Sequence, residues 1–189
     1  MNDKPKCIIV TGRPGAGKTT LAKKLGQQLW MPVISRDEIK EGYVNTFGVK
    51  HDQLPADANA VVFDIFFDIV CRYLAHNVSI VIEAAFQHQV WARKLPQIGK
   101  MSAPYMVICS VEGMTAAQRH LQRGLDDPNR EFYHGDKRVS IYRETGMIAP
   151  PADYVTPAFD VPTLFVSTEA GYDPSVDEIV RWIRSLDGA

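Results

Sequence analysis

Short, wholly apolar runs alternate along this chain with segments in which apolar residues return every three or four positions. Cys7-Ile8-Ile9-Val10 is a continuous apolar run that leads into a glycine-rich stretch, the pattern of a strand buried on both faces. Beyond Lys18, Leu21, Leu25 and Leu29 recur at a spacing of four and mark a helix with one buried stripe. Pro32-Val33-Ile34-Ser35 predicts a second strand, and Arg36-Asp37-Glu38 opens a second helix. Residues 44–57 mix Gly, Asn, His, Asp and Pro and read as a loop or insertion. A long helix is expected from about Asn59 to Ala75, then a β-prone third strand at Val78–Ala84. Tyr105–Val111 predicts a fourth strand, Thr115–Leu125 a helix, and Thr163-Leu164-Phe165-Val166 a fifth strand. The chain closes on an amphipathic helix over Val176–Leu186, with Ile179, Ile183 and Leu186 at helical spacing. Residues 85–104 receive no assignment. The stretch 126–162 is polar and broken by Pro and Gly, and reads as a mobile lid or surface excursion rather than core. Strands alternating with helices give an α/β fold around a parallel sheet, taken as one domain over residues 1–189 with a lid at about 124–162.

Composition narrows the class. With 46% hydrophobic and 23% charged residues the chain is globular rather than disordered. Its 21 Lys and Arg against 22 Asp and Glu leave a formal charge of -1, which advertises no nucleic-acid or anionic-membrane surface. The longest apolar run, Val61–Cys71, is interrupted by Asp64 and Asp68 and is too short to span a bilayer. Cys7, Cys71 and Cys109 lie far apart in apolar segments and are expected to be buried free thiols in a reducing compartment. The opening Met1-Asn2-Asp3 leads towards the first strand with no apolar signal segment, so a cytoplasmic location is expected. His51, His76, His88 and His120 have no ligand-like spacing, which argues against a metal site built from protein side chains alone.

One motif carries strong chemistry. Gly12-Arg13-Pro14-Gly15-Ala16-Gly17-Lys18-Thr19 fits G-x-x-x-x-G-K-[ST], between a predicted strand and a predicted helix. Glycines in such a loop let successive backbone N–H groups turn towards phosphate oxygens, and the helix N-terminus adds partial positive charge. Gly12, Gly15, Ala16 and Gly17 are therefore expected to cradle the phosphates of ATP. Lys18 reaches the β- and γ-phosphates, the Thr19 hydroxyl ligates Mg²⁺, and Thr20 bonds the α-phosphate.

Together, Gly-x-Pro-Gly-Ala-Gly-Lys-Thr-Thr near the start, Ser35-Arg36-Asp37-Glu38 after the second strand, Arg119-x-x-x-Arg123 after the fourth and Ser167–Asp173 after the fifth resemble the small P-loop kinases. That group includes gluconate kinase, chloramphenicol phosphotransferase, the kinase domain of phage polynucleotide kinase and the zeta-toxin proteins. The resemblance implies a P-loop NTPase three-layer sandwich, with a five-stranded parallel sheet of order 2-3-1-4-5, a helical lid and a site at the carboxyl ends of the strands. It also implies that Arg36 contacts the acceptor, that Arg119 and Arg123 serve as lid arginines, and that Ser167–Asp173 lies beside the adenine. Several relatives are set aside. A GTPase lacks its N-K-x-D motif here, AAA+ and RecA-type motors need more chain and a run of acids where this one has the single Glu83, and shikimate kinase needs a glycine triplet missing near Glu83–Phe86.

The remaining candidates each have a plainer alternative. Asp37 is the candidate general base for an acceptor hydroxyl, or else a helix N-cap. Glu83, a carboxylate ending a buried strand, could orient a Mg²⁺-bound water, accept the hydroxyl proton or bind substrate. Arg119 and Arg123, four apart, share a helix face and either stabilise the transferring phosphoryl group or are solvated. Asp64 and Asp68 read as a solvated face, Phe63, Phe66 and Phe67 as core, and Arg13 as outside the catalysis. The expected function is transfer of the γ-phosphate of Mg-ATP to a hydroxyl of a small-molecule acceptor. The alternatives are a polynucleotide 5′-hydroxyl kinase, which calls for a more basic groove, and a non-kinase ATPase or switch acting on a protein partner.

Overall fold

The five apolar runs fold as five strands, β1 (Lys6–Gly12), β2 (Val33–Ser35), β3 (Ile80–Glu83), β4 (Ala103–Ser110) and β5 (Thr163–Ser167). Every neighbouring pair is parallel, and the order across the sheet is β2-β3-β1-β4-β5. The computed structural model describes residues 4–186, so Met1-Asn2-Asp3 and residues 187–189 lie outside the described residues. Helices α1 (Lys18–Leu29), α2 (Arg36–Phe47), α3 (Ala58–Ala75), α4 (His88–Met101), α5 (Gly113–Asp126), α6 (Asn129–His134), α7 (Arg138–Thr145) and α8 (Val176–Ser185) complete it. The architecture is that of a P-loop kinase-like fold, as expected.

Alternate residues of the central strands point to opposite faces, and each face has its own core. Cys7, Ile9, Ile80, Ile82, Met106 and Ile108 pack with Phe66, Phe67, Trp91, Leu95 and Ile98 of α3 and α4. Ile8, Val10, Val81, Val107 and Cys109 pack on the other side with Leu21 and Leu25 of α1 and Ile179 and Ile183 of α8. This is why the strand runs are continuously apolar. Parallel register also gathers the carboxyl ends of all five strands at one edge, where β1 runs into the glycine loop and β2 runs directly into α2.

Three local expectations need correcting, and one unassigned stretch is filled. Helix α2 continues to Phe47, into the stretch read as loop, and ends where Gly48 takes a left-handed φ of +64° and donates its N–H to the Val44 carbonyl at 3.0 Å. Helix α4 occupies most of the unassigned residues 85–104. Pro96 lies inside it and obscures the helical pattern of Trp91, Leu95 and Ile98, which face the core. The stretch 126–162 divides in two: α6 and α7 come first, and then an irregular strap bound to the body. In the strap Val155 O accepts from His88 N at 3.1 Å, Asp153 O from Gln87 Nε2 at 3.2 Å, and Phe159 stacks on the His88 ring at 4.4 Å. Phe159 and Val161 pack on the α3/α4 core, so this half is no surface excursion. Cys7 and Cys109 are buried free thiols, whereas Cys71 is only partly buried.

Trp91 ties core to site. It is fully buried, and its indole N–H donates to Thr11 Oγ1 at 3.2 Å, while that hydroxyl donates to the Ala84 carbonyl at 2.9 Å just beyond β3. Trp91→Ala removes a large side chain and one partner of Thr11, at a cost of about 3–5 kcal/mol. Thermal unfolding followed by circular dichroism should show a loss in Tm on the order of 10 °C.

Candidate active site

The loop between β1 and α1 is shaped by its glycines. Gly15 sits at a φ of +85°, and a Cβ placed there would run into the Ala116 carbonyl of α5. Gly17, at a φ of +76°, forms the left-handed entry to α1. Among the described residues the amides of Gly17, Lys18 and Thr19 have no hydrogen-bond acceptor, as expected of a helix N-terminus awaiting an anion. Lys18 is 7% exposed, and its Nζ donates to the Arg13 carbonyl at 3.1 Å, folded back over the loop. Arg13 itself lies beside Gly113 and Pro151, away from the loop's interior.

Below the loop, Glu83 ends β3 with only 2% exposure. Register places it opposite Val10 of β1 and Ser35 of β2. The Ser35 hydroxyl donates to Glu83 Oε2 at 2.9 Å, and Lys18 Nζ stands 3.9 Å from Oε1. Burial pushes the Glu83 carboxyl up from its ordinary value, opposed by the Lys18 ammonium and the Ser35 hydroxyl. Burial likewise pushes Lys18 down, with Glu83 and Asp37 opposing. Asp37 opens to solvent in the first turn of α2. Its partial desolvation is outweighed by Arg36, at 3.3 Å, and by His134 and Lys18, so its carboxyl is held below the ordinary value and is ionised at neutral pH. Ser35, not Asp37, occupies the N-cap position of α2, though without a side-chain cap bond.

One cleft of about 510 Å³ joins the loop residues Gly15, Gly17, Lys18 and Thr19 to Arg36, Asp37 and Arg123. That volume suits a small ligand. Helices α6 and α7 border it through Arg130 and Arg138. Arg119 is not among the residues lining this cleft. Its guanidinium donates to the Thr168 and Glu169 carbonyls at 2.8 and 2.9 Å, which fastens α5 to the segment after β5. It lines a second, more open hollow with Gly15, Gly17, Arg123, Thr168 and Tyr172, the region expected beside the adenine. The Tyr172 hydroxyl donates to the Gly17 carbonyl at 3.3 Å there. Thr20 is exposed on α1 and Gly12 precedes the loop at a φ of +143°. Sequence reasoning left out Lys40 and Asp136, which also line the cleft. Lys40 lies one turn beyond Arg36 on a helix whose polar residues looked solvated. Asp136 is buried between His120 of α5, at 2.8 Å, and Arg138 of α7, at 3.2 Å, contacts that only folding brings together.

The site suits Mg²⁺ by its donor chemistry. A hydroxyl at Thr19 and a carboxylate at Glu83 are hard oxygen donors, and Mg²⁺ is usually held by one or two carboxylates together with substrate phosphates. Among the described residues no group of three or more His, Cys, Asp or Glu forms an all-protein metal cage. No helix among them is long and apolar enough to cross a membrane.

Comparison with known proteins agrees with this fold. The family described as an AAA domain (AAA_33) matches residues 7–137. A candidate kinase from Chloroflexus aurantiacus shares the fold with a TM-score of 0.77 at 22% identity, over 96% of this chain and 98% of that one. An APS kinase from Mycobacterium tuberculosis, in complex with AMPPNP and APS, aligns with a TM-score of 0.58 at 19% identity, over 98% and 99% of the two chains. A gluconokinase from Sinorhizobium meliloti 1021 aligns with a TM-score of 0.51 at 18% identity, over 94% and 88%. No curated protein sequence matches. The family shares the AAA name with the motors set aside above, while these three likenesses are in fold to proteins named as kinases.

Gly15→Ala tests whether the loop geometry is required for nucleotide binding. The new methyl group meets the Ala116 carbonyl in a backbone conformation that L-residues rarely adopt. Calorimetric titration with Mg-ATP should show affinity reduced by at least about tenfold, equivalent to roughly 1.4 kcal/mol.

Proposed function

The chain belongs to the AAA-domain family, and within it we propose an ATP-dependent phosphotransferase that moves the γ-phosphate of Mg-ATP to a hydroxyl of a small-molecule acceptor. The observation that carries this reading is the shared cleft, in which Lys18 and the loop amides meet Asp37 and Arg123 at the carboxyl edge of the sheet. A nucleotide-binding loop alone would serve a switch equally well. An ionised carboxylate facing the same cavity, beside a helix-borne arginine and under two short helices, supports transfer to a bound alcohol.

In this reading the loop amides and Lys18 hold the triphosphate, with Lys18 swinging from the Arg13 carbonyl to the β/γ-phosphates. Bound Mg²⁺ would supply charge neutralisation on the phosphates, with Thr19 and Glu83 as its protein-side donors. Asp37 orients the acceptor hydroxyl and takes its proton. As the new bond forms between the acceptor oxygen and the γ-phosphorus, the bond to the β,γ-bridging oxygen breaks and ADP leaves. Arg123, which faces both the cleft and the base-side hollow, stabilises charge on the transferring group. Arg119 acts as a positioning residue, holding α5 against the segment after β5. Helices α6 and α7 form the lid and exclude water, which limits hydrolysis.

The deciding experiment is incubation with γ-labelled ATP and separate pools of sugar acids, nucleosides and nucleotides, hydroxylated antibiotics and 5′-hydroxyl oligonucleotides. Label is expected in a small-molecule pool. Label released only as inorganic phosphate, at one rate with every pool, would instead identify a switch. Asp37→Asn should retain ATP affinity and lose transfer by about 10²–10⁴-fold. The pH dependence of kcat/KM separates the two candidate bases. Asp37 must be ionised to act and is held below its ordinary value by Arg36, His134 and Lys18, so activity should persist as pH falls through the ordinary carboxylate range. Were Glu83 the base, raised above 4.5, the acid limb would appear at higher pH.

A further inference from the structure

The charges that line the cleft are not all balanced alike. Lys18 has a carboxylate neighbour in Glu83. Lys40, on α2, is 7% exposed, and among the described residues its ammonium makes no hydrogen bond and no ion pair. Burial and the neighbouring Arg36 guanidinium push it down to about 8, with Asp37 opposing. Arg36 uses Nη1 on Asp37 at 3.3 Å and Nη2 on Asn59 at 3.1 Å, yet its Nε is buried without an acceptor. Arg130 of α6 likewise has a buried Nε with no acceptor and forms no ion pair among the described residues. All three line the cleft.

The nearby carboxylates are already engaged: Asp37 by Arg36, Asp136 by His120 and Arg138, and Glu41 by His134 at 2.9 Å. Lys40 is a mostly buried lysine whose ammonium opens only onto the cleft, so a ligand anion there would supply the charge that no side chain supplies. Donors without acceptors select a ligand rich in acceptor oxygens. These donors lie on α2 and α6, elements other than the loop and α1 that receive the triphosphate in the reading above.

We propose that the acceptor alcohol carries a fixed anionic group, a carboxylate or a phosphate, which Lys40, Arg36 and Arg130 receive while its hydroxyl meets Asp37. The word acceptor rests on the phosphotransferase reading above, whereas the anion site does not. Planar guanidinium groups and a compact ammonium can together meet several oxygens of one such group.

The test uses the whole chain saturated with Mg²⁺ and a non-hydrolysable ATP analogue, so that the loop is already filled. Inorganic phosphate and D-glycerate are titrated separately while Tm and binding heat are followed. At least one of these anions should raise the Tm of the wild type and of Lys100→Met, a control on an exposed lysine of α4. In Lys40→Met and Arg130→Gln the affinity for that anion should fall by about tenfold or more. Without any ligand, Lys40→Met should keep a single cooperative unfolding transition, which shows that the variant folds. Absence of stabilisation by either anion, or an undiminished shift in Lys40→Met, overturns the proposal. A second arm offers γ-labelled ATP with glycerate against glycerol, ribose 5-phosphate against ribose, and nucleoside monophosphates against nucleosides. Label should enter the anionic member of a pair at least about 100-fold faster. Equal labelling of the neutral members overturns the anion site and leaves the phosphotransferase standing. Anion binding with label in no alcohol does the reverse.

Discussion

Two opposite charges buried 3.9 Å apart, Lys18 and Glu83, are the constraint on which this cleft depends. Each is disfavoured by desolvation, and each makes the other tolerable. Their proximity is set by strand register: β1 and β3 pair Val10 with Glu83, and β2 and β3 pair Ser35 with Glu83. A register slip would turn Glu83 towards the opposite face of the sheet and leave a carboxylate in an apolar core. The two apolar faces of the sheet therefore do more than stabilise the fold. By fixing register they place a carboxylate and a hydroxyl donor beneath a phosphate-binding loop.

The same parallel geometry orders the rest of the site. Since β1 and β2 both end at one edge and each is followed by a helix starting there, α1 and α2 present their N-terminal turns to the same space. Partial positive charge from both converges on the cleft and favours anionic ligands. The two arginines four apart on α5 then diverge in use. Arg119 is absorbed by the carbonyls of Thr168 and Glu169, while Arg123 remains in the cleft. Shared helix face does not ensure shared function, because the segment after β5 passes close enough to claim one of them.

Most of the scaffold was legible in the sequence, because a parallel sheet buried on both faces writes itself as uninterrupted apolar runs. The loop was legible too, since its glycines answer to backbone conformation and to the close approach of Ala116. What escaped had physical reasons. Pro96 masked α4, where the amide it lacks is lost inside a helix held by Trp91, Leu95 and Ile98. The strap containing Val155 and Phe159 looked polar because its anchors are scattered hydrogen bonds, one ring stack and the apolar side chains of Phe159 and Val161, which leave no periodicity. Lys40 escaped because a lysine one turn beyond an arginine and an aspartate ordinarily lies on a wet helix face. The roles given to Lys18, Asp37, Glu83 and Arg123 are proposals to which the cleft lends its geometry.

Net charge was the least informative of the sequence observations, and the structure explains why. A total of -1 advertised no surface for polyanions, yet total charge averages over a surface that a small ligand never meets. Carboxylates such as Glu38, paired with Lys23 at 2.8 Å, or Asp64 and Asp68 on the exposed side of α3, balance the sum without facing the cleft. Inside it, Lys40 and Arg130 have no carboxylate within ion-pair distance among the described residues. Interaction strength rises as water is excluded, so these few enclosed charges weigh more in selecting a ligand than a larger number in solvent. A chain that is balanced overall can therefore hold a strongly cationic cavity, and the chemistry of its ligand follows from the cavity.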